Sequence, residues 1–139
     1  MQIRREPVRT TDDAAMKVLA LRYTGATEAE LGAAARNLES LQRADGGWGG
    51  NPNLAPDAYS TGLAIFALSA GRRDATPAPS YGRGAAWLLR NQEADGSWHV
   101  RSRAAKFQPY FESGFPHGAD QWISSAGTAW AVAGLAAAR

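Results

Sequence analysis

The chain has 139 residues, with 15 Lys and Arg against 13 Asp and Glu, and a 45% hydrophobic content that suits one ordinary domain with a buried core. The absence of cysteine excludes a disulfide framework and any zinc site built on cysteine ligands. A formal net charge of +2 gives little support to nucleic-acid binding, and no apolar run approaches the ~20 residues that cross a bilayer.

Residues 1–11 show no hydrophobic periodicity and are expected to form a flexible segment. They carry charge but no apolar core of the kind that signal peptides have, so a cytoplasmic or peripheral membrane location is expected. Two basic clusters, Arg4, Arg5 and Arg9 near the start and Arg101, Arg103 and Lys106 later, are interpreted as solvated loops, with membrane headgroups as the alternative contact for the second.

The first predicted helix covers 12–23 and has Asp12 and Asp13 in its first turn, where carboxylates interact favourably with the helix dipole. Apolar residues surround most of it, which predicts a buried, inner helix. Thr27 and Glu30 then form a capping-box pattern and open a helix with a single apolar stripe, which predicts an outer helix with one wet face.

The third predicted helix begins at Asp57, covers 58–70 and is again apolar all round, so it is predicted to be inner. An outer helix starting at Ser80 or Tyr81 follows. The last predicted helix is capped by Ser124 and runs to the C-terminus, with 125–127 aligned on 60–62 of the third helix. Residues 99–121 lack a helical stripe, and a loop of that length suggests a function.

One motif occurs twice. Gln42, Gly46 and Trp48 recur 50 residues later as Gln92, Gly96 and Trp98, each set at the end of a predicted outer helix. A fixed period of this size predicts a repeat architecture in which each unit buries its apolar face against its neighbours.

The second copy resembles the QW repeat of triterpene cyclases, best known from squalene-hopene cyclase, and the matching residues are Arg83, Gly84, Trp87, Leu88, Gln92, Gly96 and Trp98. The first copy matches in Leu38, Gln42, Gly46 and Trp48, but Ala33, Ala34 and Asn37 replace the basic residue, the glycine and the aromatic residue. The resemblance implies an all-α, α/α-toroid fold, with residues 12–139 as a single repeat domain of about half a ring. It also implies a structural role for the Gln and Trp side chains, in which Gln closes the end of the outer helix and Trp stacks on its amide.

The segment Ser113-Gly114-Phe115-Pro116 is similar to the one that precedes the final inner helix in squalene-hopene cyclases, except that Glu112 replaces a glycine. The same family protonates an alkene with an Asp-x-Asp-Asp-Thr-Ala motif, of which 10–15 retains two acids. The resemblance implies Asp12 as proton donor and Asp13 as its partner, because a strong general acid needs a neighbour that holds its proton in place. Capping of the first helix is the alternative role for Asp12.

An isoprenoid substrate needs an apolar, aromatic lining. The candidates for this lining lie on inner helices or in the long loop, with ordinary core packing as the alternative: Tyr59, Phe66, Phe115, Trp122 and Trp130. No metal or cofactor is predicted, because the spacing of His99, His117, Glu112 and Asp120 matches no metal signature. Protein prenyltransferase β-subunits, which share the toroid, need a zinc-bound Cys that is missing here.

The sequence therefore predicts a terpenoid-cyclase-like domain, of the isomerase class, that forms part of a pocket for an isoprenoid. Acid-initiated cyclisation is expected only where a homo-oligomer or a missing half-domain completes that pocket. Two alternatives stay open: a non-catalytic α/α scaffold for protein or lipid binding, and a glycosidase that uses Glu112 and Asp120.

Overall fold

Five α-helices and one turn of 3₁₀ helix make up the regular structure of the described residues. The computed structural model describes residues 7–72, 78–105 and 111–137, and Arg4, Arg5 and Lys106 of the two basic clusters lie outside these ranges. The helices have the following bounds: α1 Thr11–Tyr23, α2 Glu28–Ser40, α3 Ala58–Gly71, α4 Pro79–Arg90 and α5 Gln121–Ala136, with the 3₁₀ turn at Gly118–Asp120. Within the described residues, no helix is long and apolar enough to cross a membrane.

Two capping boxes start α1 and α2. The predicted box at Thr27 and Glu30 is confirmed, since each side chain bonds to the other residue's backbone N–H. At α1 the cap is Thr10, whose hydroxyl accepts from the Asp13 N–H while the Asp13 carboxylate accepts from the Thr10 N–H. The prediction that Asp12 could cap this helix is therefore wrong, because the position is already taken by Thr10 and Asp12 lies inside the first turn.

The start of α5 also differs from the prediction. Asp57 caps α3 as expected, accepting from the Ser60 N–H at 2.7 Å. In contrast, Ser124 lies one turn inside α5, where its buried hydroxyl donates to the Val100 carbonyl and accepts from the Val100 N–H. The extra turn arises because the 3₁₀ turn leads directly into the helix at Gln121.

The helices form two layers, which confirms the predicted order of inner and outer helices. In the inner row α3 lies between α1 and α5, while in the outer layer α2 packs on α1 and α3, and α4 packs on α3 and α5. The helices α3 and α5 approach each other closely because Gly62 has no side chain. A Cβ at this position would lie 2.4 Å from backbone atoms of Trp130 and Ala131. The fold is thus all-α and of the α/α-toroid type.

The two turns that follow the outer helices are built alike. In both, a Trp indole donates to the helix carbonyl ten residues earlier at 2.8 Å, from Trp48 to Leu38 and from Trp98 to Leu88. In both, the Gln amide donates to the carbonyl of the turn glycine four residues on, also at 2.8 Å. The indole rather than the Gln amide therefore supplies the donor for a C-terminal helix carbonyl, which corrects the role implied for Gln42 and Gln92.

A hydrogen bond from each turn sets the register of the inner helices. The Trp48 N–H donates to the Thr61 hydroxyl on α3, and the Trp98 N–H donates to the Thr128 hydroxyl on α5. Thr128 is thus the structural counterpart of Thr61, so the predicted alignment of 125–127 on 60–62 is wrong by two residues. The counterpart of the cap Asp57 is Ser124, which explains why the sequence pattern suggested a cap there.

Candidate functional site

The first turns of α1 and α3 are brought together by the loop that joins α2 to α3. The Thr11 N–H and hydroxyl donate to the carbonyls of Gly50 and Gly49, at 3.1 and 2.6 Å, and the Asp57 N–H donates to the Trp48 carbonyl at 3.1 Å. Asp12 on α1 and Asp57 on α3 consequently lie close enough for their charges to interact. This places two carboxyl groups at one end of the inner row.

Asp12 and Asp13 are adjacent but have opposite electrostatic environments. Partial burial raises the pKa of Asp12, and the negative charges of Asp57 and Asp13 raise it further. Hydrogen bonds from the backbone N–H groups of Arg9 and Thr10 hold the pKa of Asp13 below its ordinary value. A pair of carboxyl groups whose pKa values are pushed apart in this way is the arrangement that acid catalysis uses.

Three aromatic side chains of the inner row lie together, and one of them, Tyr59, is close enough to Asp12 to interact with its charge. The rings of Phe66 and Trp130 lie 5.5 Å apart, centroid to centroid, at an angle of 55°. The Trp130 side chain also lies close to the Tyr59 phenol, whose pKa is raised by burial and by the charge of Asp12. The structure therefore groups four of the predicted site residues, Asp12, Tyr59, Phe66 and Trp130.

The other two aromatic candidates have different surroundings. Phe115 is half-buried beside His117, with ring centroids 6.4 Å apart. Trp122, in the first turn of α5, is 57% exposed, and its indole donates to the Phe111 carbonyl at 3.0 Å. Both residues belong to the region where the 111–117 segment meets the start of α5.

Two residues near the acid pair were missed by the sequence prediction. Asp57 was assigned only to the start of α3, yet its charge acts on both Asp12 and Tyr59, and it is itself 3.5 Å from the Arg103 guanidinium. Met16 is 46% exposed and lies one turn after Asp12, on the same face of α1. The spacing of four residues could have revealed Met16, whereas no local signal links Asp57 to Asp12.

A second polar cluster joins the turn after α4 to the start of α5. His99 Nε2 lies 2.7 Å from the Asp120 carboxylate, His117 Nε2 lies 2.7 Å from the Ser97 hydroxyl, and the two imidazoles stack with centroids 4.8 Å apart. His117 has a left-handed φ of 84°, which is uncommon outside glycine. No group of three His, Cys, Asp or Glu in the described ranges is arranged to hold a metal ion.

Comparisons with known proteins agree with the fold. The family model of the squalene-hopene cyclase C-terminal domain matches residues 10–118. Drimenyl diphosphate synthase from Streptantibioticus cattleyicolor is 40% identical over 76 residues, which are 55% of this chain and 14% of that relative. The match therefore covers only a small part of the relative's length.

Proposed function

The chain belongs to the squalene-hopene cyclase C-terminal domain family, and on that premise we propose that it forms one wall of an apolar pocket for an isoprenoid. The observation that carries the proposal is the contact of Trp130 with both Phe66 and Tyr59, next to a carboxyl group whose pKa is raised. Aromatic faces attract positive charge, so such a wall suits both an apolar chain and a carbocation derived from it.

The proposed chemistry is acid-initiated cyclisation of a polyene. The Asp12 carboxyl group donates its proton to one carbon of an alkene, and the positive charge that develops on the other carbon is attacked by the next alkene of the chain. Loss of a proton from the final cation ends the reaction, so the product is an isomer of the substrate. Asp13, held ionised by its two backbone hydrogen bonds, is the proposed anionic partner of Asp12.

The pocket needs further walls for this chemistry. The inner row has α1 at one end and α5 at the other, and a dry cavity requires helices beyond both. We infer that a second copy of the chain, a partner chain or a missing half-domain supplies them. The similarity to a protein named as a drimenyl diphosphate synthase supports a terpenoid substrate, with or without a diphosphate group.

Ligand binding tests the pocket. We expect a squalene analogue to raise the melting temperature of the wild-type protein, and Phe66→Leu to reduce that rise while Tyr23→Leu, at a 78% exposed position of α1, leaves it unchanged. An isoprenoid diphosphate in a parallel titration distinguishes a hydrocarbon substrate from a diphosphate. The absence of any shift at saturating concentrations of both ligands would contradict the proposal.

Catalysis and assembly are tested separately. Asp12→Asn is expected to abolish cyclised product while the ligand-induced shift in melting temperature persists. Light scattering then gives the mass in solution. A protein that stays monomeric with ligand and forms no product from either substrate would contradict the catalytic part of the proposal.

A further inference from the structure

The turn after α2 holds α4 in place by polar contacts that use the motif side chains. The Gln42 amide donates to the Ser80 carbonyl at 2.8 Å, and the Arg83 guanidinium donates to the Gln42 side-chain oxygen. The Trp87 indole donates to the Asp45 carboxylate at 3.0 Å. In the first repeat, Gln42 and Asp45 therefore form the binding surface for an outer helix.

Glycines allow α4 to approach closely in the same place. A Cβ on Gly46 would lie 2.7 Å from the Arg83 carbonyl, and a Cβ on Gly84 would lie 2.6 Å from Ile65 and 2.8 Å from the Trp48 ring. Contacts this short exclude any side chain. The outer helix must accordingly present a glycine to the inner helix and the motif Trp.

The second repeat has the same binding surface, and no helix among the described residues packs on it. Gln92, Asp95 and Gly96, the counterparts of Gln42, Asp45 and Gly46, are all exposed. In the register that pairs Thr61 with Thr128, the counterpart of the fully buried Ile65 is Val132, which is 54% exposed. Leu89, one turn before Gln92, is 62% exposed, and we call the surface of Leu89, Gln92, Gly96 and Val132 the α4–α5 edge.

We propose that the α4–α5 edge is a docking site for an amphipathic α-helix with the chemistry of α4. Such a helix carries an Arg or Lys that donates to the Gln92 oxygen, and a glycine one residue later that lies against Val132 and Trp98. The support is the internal repeat: the same turn geometry and the same inner-helix register already bind a helix of this kind once in the chain. The inference does not depend on the isoprenoid site.

The position of His117 refines the chemistry of the partner helix. The Trp87 indole lies beside Gly47, where its Nε1 would be 2.8 Å from a Cβ on that residue. In the second repeat the His117 ring lies beside Ser97, the counterpart of Gly47, at 2.7 Å from its hydroxyl. The partner helix must therefore carry a small residue where α4 carries Trp87.

An intact second copy does not supply this helix in the register of the repeat. Each unit pairs an inner helix with an outer helix, as α1 with α2 and α3 with α4, and α5 already holds the inner position next to the edge. Docking α2 of a second copy there would place its α1 on top of α5. A second copy that continues the inner row beyond α5 would leave the edge open for a separate helix.

A peptide that copies α4 tests the proposal on the whole protein. The probe has the sequence of residues 78–92 with Trp87→Ala, a fluorophore at its N-terminus, and a cross-link between positions 82 and 86 that keeps it helical, since short free helices are marginal in water. Fluorescence anisotropy is expected to show saturable binding to the wild-type protein. Val132→Glu should weaken that binding about tenfold or more by burying a charge in the contact.

Two controls make the result specific. Tyr23→Glu places the same charge at another exposed apolar position and should leave peptide binding unchanged, while circular dichroism checks that both variants stay folded. A peptide that also carries Gly84→Val should not bind, because its side chain would collide with Trp98. Failure of the probe to bind the wild-type protein, or equal binding to the Val132→Glu variant, would overturn the proposal.

Discussion

The indole Nε1 of Trp48 lies 2.8 Å from the carbonyl oxygen of Leu38, in the last turn of α2. Both residues are fully buried, so without the indole N–H the carbonyl would have no access to water. The Leu41 N–H also donates to this carbonyl, at 3.2 Å, so the indole is its second donor, and a hydrogen bond of this kind contributes about 0.5–1.5 kcal/mol net. The bond therefore contributes directly to the stability of the first repeat.

We expect Trp48→Phe to lower the free energy of unfolding by about 2–4 kcal/mol, since the lost hydrogen bond adds to the cavity that the smaller ring leaves. Urea unfolding followed by circular dichroism measures the change. Trp122→Phe is the matched control at a largely exposed position, with an expected change within about 0.5 kcal/mol. Equal effects of the two substitutions would show that the indole does not close the helix.

Gly46→Ala should destabilise the protein more than Gly96→Ala. Both glycines have positive φ values, 96° and 86°, so alanine costs about 1–2 kcal/mol at either position. Only the Cβ at position 46 would also collide, 2.7 Å from the Arg83 carbonyl, whereas the nearest atom at position 96 is 3.9 Å away. The difference between the two unfolding free energies measures the contact of the turn with α4, and a difference of zero would contradict it.

Substitution of two helical glycines should change stability in opposite directions. Gly62→Ala would place a Cβ 2.4 Å from the backbone of α5 and is expected to cost about 1–3 kcal/mol or more. Gly82→Ala, at an exposed position of α4 with no neighbouring atom within 4 Å, should add about 0.5–1 kcal/mol through higher helix propensity. Thermal unfolding of both variants tests the prediction, which would be wrong if both shifts had the same sign.

Asp120→Asn should make the protein less stable at neutral pH but not in acid. A hydrogen bond from His99, and then one from the Ser102 N–H, hold the pKa of Asp120 below its ordinary value. A lowered folded-state pKa contributes stability that is present above about pH 4 and is lost as the pH falls through the folded value. The stability curves of wild type and variant should therefore converge below about pH 4, and parallel curves would exclude this linkage.

Asp12→Asn should have the opposite pH dependence. Because burial and two neighbouring carboxylates raise the pKa of Asp12, its ionised form costs stability at neutral pH, and that cost disappears as the pH falls through the raised value. The variant should thus be as stable as wild type or more stable at pH 7. Asp13→Asn is the control, since it weakens the capping box and should destabilise α1 by about 1 kcal/mol. A clear loss of stability in Asp12→Asn would contradict the pKa assignment.

Features that depend on neighbours in the chain were predicted well. The side chains of Thr27 and Glu30 accept hydrogen bonds from each other's backbone N–H groups within one turn. Apolar periodicity separated the inner helices from the outer ones. The caps of α1 and α5 were predicted wrongly because several candidate residues stand side by side in the sequence. At α5, Ser124 occupies the position of a cap in the repeat, but the 3₁₀ turn before it begins the helix three residues earlier.

The candidate site was predicted only in part, for a related reason. Residue type and the family resemblance singled out Asp12, Tyr59, Phe66 and Trp130, which the fold brings together. Asp57 could not be linked to Asp12 from the sequence, because their proximity arises from a loop that bonds to the starts of both α1 and α3. Nor could the sequence show that Phe115 would lie beside His117.

The sequence by itself determined the helices, their inner or outer character and the repeat of 50 residues, because these follow from periodicity, capping and turn residues within short segments. Only the tertiary structure decided which carboxyl group has a raised pKa and which copy of the repeat packs against an outer helix. The pKa of Asp12 depends on burial and on charges from a distant part of the chain. Whether a helix packs on the turn at Gln42 depends on the position of α4. Desolvation and packing are set by contacts between segments, which no local pattern specifies.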